Sequence, residues 1–257
     1  MRWWSDGANT DRRTKMSAKS PGLVSERHDR VLWLAFDRPH AGNAVNAEVA
    51  AAFAAALAQA TRDAETSAVV LTGTGGRIFS AGIDVKNPLG LAHAALASSR
   101  RGAVERCIEA ILEFDKPLVA AVNGFAIGLG FMLALLADRV IASEDAAFSL
   151  PEIDINIPTF LGISIVARAG GTALARDLVL SGRRMDAAEA RERALVATVV
   201  PMKDLAATAQ AAALALAAKP PAAFALDKQW LARGLREELA AGNARSAEVQ
   251  QVLAAGK

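Results

Sequence analysis

The chain has 257 residues, 53% of them hydrophobic, which is long enough to bury one large core with room for a small appendage. Its 29 basic and 27 acidic residues leave a net charge of +2, too small a field to mark a nucleic-acid or lipid-surface binder. A single cysteine, Cys107, excludes an internal disulfide and a cysteine-cluster metal site, and His28, His40 and His93 lack metal-ligand spacing.

The first twenty residues are polar and basic, with Arg2, Arg12, Arg13, Lys15 and Lys19. They lack the apolar core of a signal peptide and are expected to be disordered; Met16 reads as a second start. With no secretory feature, a reducing cytoplasm is the expected setting. Residues 23–27 and 30–37 read as a hairpin with its turn at His28-Asp29, because residues 31–37 alternate. Residues 47–62 form a helix with Val49, Phe53 and Leu57 on one face. Short strands follow at 68–72 and 78–81, around a turn with Gly73, Gly75 and Gly76. That turn lacks the Lys-Ser or Lys-Thr of a nucleotide-binding loop.

Residues 89–114 read as a helix broken near Gly102. A strand at 118–122 enters a turn at Asn123-Gly124, a helix covers 128–137, and strands cover 139–142 and 148–150. The apolar run 125–137 is too short to span a bilayer. Beyond Leu161 the pattern is almost wholly helical: 163–169, 173–181, 187–193, 206–218, 222–241 and 244–255. Strands early and helices late predict a sheet-built α/β core over 21–200 and a helical region over 201–257, with 1–20 as an extension. No periodic internal repeat is visible.

Three segments carry the chemistry. FSAGIDV (79–85) is a strand, a Gly turn and an acid. KPLVAAVNGFAIGLGFMLALLADRVIAS (116–143) runs from a strand through a Gly-rich loop into a helix. AFSLPEIDINIP (147–158) places Glu152 on a loop after a short strand. A Gly-rich loop opening a helix aims backbone N–H groups at one spot. Two convergent donors make an oxyanion hole, each worth about 2.7–4 kcal/mol at the transition state. One added carboxylate suits proton abstraction beside a thioester carbonyl.

Together, in this order and spacing, the segments resemble the crotonase (enoyl-CoA hydratase/isomerase) superfamily over residues 23–241. RPHAGNAVN (38–46) resembles that family's loop along the CoA nucleotide. The resemblance implies a spiral of ββα turns assembled as a homotrimer, or a dimer of trimers, through C-terminal helices. It implies an acyl-CoA thioester as ligand, with CoA part of the substrate and no separate cofactor or metal. It puts the oxyanion N–H groups on Ile83 and Leu129, the catalytic carboxyl on Glu152, and substrate contacts at Ala44, Ala81, Asp84, Gly128, Met132 and Lys228, the last toward a CoA phosphate.

One position departs from the pattern. Members that hydrate enoyl-CoA carry two catalytic glutamates, and the first falls here on Met132, which moves no proton. Losing a positioned acid or base costs about 10²–10⁴ in rate. Shifting a double bond from position 3 to position 2 needs only one carboxyl, so isomerisation is favoured over hydration. A hydratase recruiting Asp84, Glu105, Glu109 or Asp154 is the first alternative, and a non-catalytic acyl-CoA-binding or scaffold oligomer the second. Asp84 also reads as a turn former, and Arg100-Arg101 and Arg183-Arg184 as solvated faces or phosphate contacts.

Overall fold

The continuous apolar run VLWLAF forms β3 (Val31–Phe36), which pairs antiparallel with β2 (Leu23–His28). The computed structural model describes residues 18–86 and 93–255. The connecting turn is Asp29-Arg30, one residue later than predicted, and Asp29 takes φ 54°. β1 (Ala18–Ser20) pairs with β2, inside the stretch expected to be disordered; residues 1–17 lie outside the described residues. From β3 the large sheet continues in parallel through β4 (Ala68–Gly73), β6 (Leu118–Val122), β8 (Arg139–Ser143) and β11 (Thr198–Val200), in the order β1-β2-β3-β4-β6-β8-β11. A second sheet, order β10-β9-β7-β5, holds β5 (Ile78–Ser80), β7 (Phe125–Ile127), β9 (Ala147–Ser149) and β10 (Met185–Asp186).

The helices are α1 (Ala47–Arg62), α2 (His93–Glu113), α3 (Leu129–Leu135), α4 (Phe160–Gly170), α5 (Thr172–Ser181), α6 (Ala187–Glu192), α7 (Met202–Ala217) and α8 (Pro221–Ala255). α1 has the predicted bounds, and the Asn46 side chain accepts the Val49 N–H at its start (2.9 Å). At its far end Lys116 Nζ donates to the carbonyls of Ala60, Asp63 and Thr66 (2.6, 2.8 and 2.9 Å), which satisfies acceptors the helix leaves open.

Two-residue periodicity divides the large sheet. Val31, Trp33, Ala35, Val70, Val119, Ala121 and Ile141 pack beneath Leu205, Ala209 and Ala213 of α7. Leu34, Phe36, Val69, Leu71, Leu118 and Ala120 face the main core with α1, α2 and α3. Within the helical region expected from residue 201, α7 covers this face of the sheet.

Three times the chain runs from a large-sheet strand to a small-sheet strand to a helix: β4-β5-α2, β6-β7-α3 and β8-β9-α4. This is the expected spiral of ββα turns, and it is the structural repeat that the sequence conceals. β7, β10 and β11 were not predicted, since two or three residues cannot display a period. Two predicted breaks are absent. α2 passes through Gly102, whose missing side chain would meet open space; the cost of about 1 kcal/mol for glycine is outweighed by burial of Ala103, Cys107, Ile108 and Ile111. The predicted start of that helix at 89–92 lies outside the described residues. α8 runs unbroken through Gly242, where an added Cβ would come within 3.1 Å of Leu161. Among the described residues, no single helix is long and apolar enough to cross a membrane.

Candidate functional site

β5, β7 and β9 lie side by side and parallel, so the residues that leave their C-terminal ends meet. Gly82 follows β5 with φ +87°; a Cβ there would lie 2.7 Å from Ile127 O and 3.1 Å from Leu129 N. Gly128 follows β7 with φ +54°, and its added Cβ would lie 2.8 Å from Glu152 Oε1. Both conformations suit glycine, and a side chain at either would part the turns. The Gly82–Ile83 peptide, the Gly128–Leu129 peptide and the Glu152 carboxyl thus form one cluster.

Ile83 is aligned by its neighbours. Val45 N–H donates to Gly82 O and Asp84 N–H donates to Val45 O, both at 2.8 Å. Such parallel bridging uses the groups flanking Ile83 and turns its own N–H away from residue 45. Leu129 begins α3, where an N–H has no intrahelical acceptor. Among the described residues neither N–H makes a hydrogen bond.

Glu152 sits on a short 3₁₀ helix, Pro151–Ile155, closed by Asn156 at φ 58° and by Ile157 N–H on Glu152 O (2.9 Å). Its Oε2 is buried with no hydrogen-bond partner among the described residues. Burial pushes its pKa from 4.5 up to about 7, against a smaller opposing pull from its own backbone N–H. Met132, one turn into α3, is 4% exposed and joins the main core.

The other candidate acids have surroundings of their own. Asp84 Oδ2 accepts from Arg38 Nη1 (2.8 Å) and its Oδ1 accepts from Lys86 N–H (3.0 Å), the turn-forming arrangement. Burial would raise its pKa, yet the Arg38 and Lys86 hydrogen bonds hold it below the usual carboxylate value. Asp154 lies against Gly182. Glu105 is half-buried with its pKa raised by burial, and Arg101 lies 3.8 Å away. Glu109 lines a groove of about 460 Å³ between α1 and α2, with Leu57, Ala58, Arg106 and Phe114, which contains no residue of the cluster.

Ala44 and Ala81 adjoin the cluster: Ala44 O accepts from Arg38 Nη1 (2.7 Å), and Ala81 N–H donates to Gly42 O (2.8 Å). Lys228 is not with them. Its Nζ donates to Asp138 Oδ2 (2.8 Å) and Lys116 O (2.9 Å) and lies 5.2 Å from the Phe114 ring centre, because burial of a lysine requires such partners. Within the chain Lys228 thus forms an internal ion pair. Arg100 is not a bare solvated cation either; it donates to Asp84 O (3.2 Å) and Val85 O. Arg183 clamps Asp177 and Glu189, and Arg184 stacks on Phe125.

Sequence reasoning gave no role to Arg38 and Asn43. Buried Asn43, at φ 54°, accepts Arg38 N–H on Oδ1 (3.0 Å) and donates from Nδ2 to Thr74 O and Ile78 O (2.9 and 2.8 Å). The available signal was an Arg-Pro pair followed by Asn in a segment otherwise free to be a loop. Burial raises the Cys107 thiol to about 12, so it is no nucleophile. Among the described residues no three His, Cys, Asp or Glu side chains gather as a metal site.

Comparison with known proteins bears on the whole chain. Residues 26–255 match the family model described as enoyl-CoA hydratase/isomerase. A 2,3-dehydroadipyl-CoA hydratase of Escherichia coli (strain K12) is 36% identical over 234 residues, covering 91% of this chain and 90% of that protein. A carnitinyl-CoA dehydratase of Salmonella typhi is 36% identical over 82% of this chain and 80% of its own length. A crystal structure of an enoyl-CoA hydratase from Mycobacterium avium subsp. paratuberculosis K-10 superposes with a TM-score of 0.80 at 30% identity, covering 92% of this chain and 95% of the other. The ββα spiral, the motif order and this coverage agree, and the chain belongs to the enoyl-CoA hydratase/isomerase family of the crotonase superfamily.

Proposed function

We propose that the chain isomerises 3-enoyl-CoA to 2-enoyl-CoA thioesters, with Glu152 as its one acid/base. The carboxylate takes a proton from carbon 2, and the electron pair moves onto the thioester oxygen, held by the Ile83 and Leu129 N–H groups. As the enolate collapses, a double bond forms between carbons 2 and 3. The former 3,4 pair accepts the same proton from Glu152 at carbon 4. Atoms and electrons balance with no co-reactant, and CoA enters only as part of the substrate.

The observation that carries this reading is the buried Met132 at the position where a second carboxyl would serve hydration. Adding water requires one group to activate it and another to deliver a proton; forgoing one costs about 3–5 kcal/mol. The second reading is hydration or dehydration, favoured by the names of the relatives described above. We further read the exposed Leu226, Trp230 and Leu231 of α8 (66, 70 and 75% exposed) as a surface for copies of the same chain, in a trimer or a dimer of trimers.

The test is turnover of the purified protein and Glu152→Gln on 3-enoyl-CoA and 2-enoyl-CoA of several chain lengths. Conversion of the 3-enoyl thioester without 3-hydroxyacyl product, lost in the variant, supports isomerisation. Water addition as fast as isomerisation overturns it in favour of the second reading.

A further inference from the structure

The cluster includes two N–H donors, and Ile83's is placed almost wholly from one loop. Residues 38–46 bond repeatedly to the strand-turn 78–86. Ala81 N–H meets Gly42 O (2.8 Å), Ser80 Oγ meets Asn43 O (2.9 Å), and Val45 bonds on both sides of Ile83. One side chain closes this set: Arg38 Nη1 donates at once to Ala44 O (2.7 Å) and Asp84 Oδ2 (2.8 Å). It thus ties the residue before Val45 to the residue after Ile83. The pair is sheltered, with side chains 21 and 11% exposed, where a charge-assisted bond is stronger than at an open surface. Beyond it, Arg100 of α2 holds the Asp84 and Val85 carbonyls.

We infer that Arg38 and Asp84 are positioning residues that set the Ile83 N–H toward the substrate carbonyl, rather than contacts to the substrate itself. This rests on the oxyanion role proposed above for Ile83. Without the pair, the 44–45 and 82–84 backbones keep their own hydrogen bonds but lose the side-chain tie across them, and the donor drifts. A misplacement of about 1 Å can cost 10² in rate while leaving the rest of the binding surface intact.

Asp84→Asn is the informative variant, because its Oδ1 still accepts the Lys86 N–H while the ion pair with Arg38 is lost. Arg38→Lys keeps the charge and gives up the bridge. Each is compared with wild type and Glu152→Gln for kcat, KM and thermal midpoint. The carbonyl stretch of bound 2-butenoyl-CoA is also read by difference infrared spectroscopy. The expected result is a fall in kcat of about 10–100-fold with KM changed less than about threefold. The polarised carbonyl band should shift back toward its free position in Asp84→Asn and partly in Arg38→Lys. Glu152→Gln, by contrast, should lose turnover and keep the band. If Asp84→Asn raises KM and spares kcat, Asp84 is a substrate contact and the inference fails. If only the thermal midpoint moves, the pair is merely structural and the inference fails equally. A wild-type complex with an unpolarised carbonyl would instead remove the oxyanion reading, and this inference with it.

Discussion

At Glu152, a carboxyl with one oxygen against Gly128 and the other buried without a partner is poised between acid and base near neutrality. Proton abstraction needs the ionised form, so kcat/KM should rise with pH to a plateau, with a midpoint near 7. A flat profile from pH 5 to 9 would remove Glu152 from the chemistry. The same burial has a stability consequence of fixed sign. The folded pKa lies above the unfolded value, so the ionised carboxyl destabilises the fold increasingly between about pH 4.5 and 7, and by a constant amount above. Glu152→Gln should therefore stabilise the protein at pH 8 by about 2–3 kcal/mol more than at pH 4. Denaturant titration at the two values measures this, and an equal effect at both would contradict the burial argument.

Turns and helices carry the next predictions. Gly128→Ala adds a methyl group 2.8 Å from Glu152 Oε1 at a left-handed φ. It should lower kcat/KM by 10² or more and cost about 1–3 kcal/mol; unchanged turnover would mean the carboxyl and the turn do not act together. Helix α8 is held by Lys228 on Asp138, side chains 12 and 17% exposed. Lys228→Met leaves the carboxylate sheltered and unpaired, at a cost of about 3 kcal/mol near neutral pH. Burial already raises the Asp138 pKa, so this deficit should shrink toward acid pH, where the carboxyl takes up a proton. Adding Asp138→Asn should recover part of the loss. If Lys228→Met is neutral in urea unfolding at pH 7, the pair does not hold α8.

Across the whole molecule, α8 leaves Leu226, Trp230 and Leu231 exposed while Leu235 and Leu239 are buried within the chain. A tryptophan buries about 150–250 Å² when covered, a strong drive toward self-association. If copies of the chain assemble through these residues as proposed, Trp230→Glu with Leu231→Glu should leave single chains in analytical ultracentrifugation. Wild type sedimenting as one chain at micromolar concentration would refute the assembly. The three ββα turns bring β5, β7 and β9 into register, and every residue of the cluster leaves the same edge of one small sheet.

Much of this was legible in the residues. The residues of Val31–Phe36 and the helical face of Val49, Phe53 and Leu57 marked β3 and α1, and the segments FSAGIDV and NGFAIGLG, through their resemblance to the family, pointed to the spiral and to Ile83, Leu129 and Glu152, whose turns the structure brings together. Period and local turn chemistry are written within a few residues, so sequence alone determines them. The rest depended on distance through space. Strands of two or three residues carry no period, and α2 and α8 ignore their glycines because burial outweighs a local cost of about 1 kcal/mol. The partners of charged side chains belong to this class too. Nothing near Lys228 in the chain names Asp138, 90 residues away, and nothing near Arg38 names Asp84. Burying a charge demands a partner, but only the tertiary structure decides which partner is within reach.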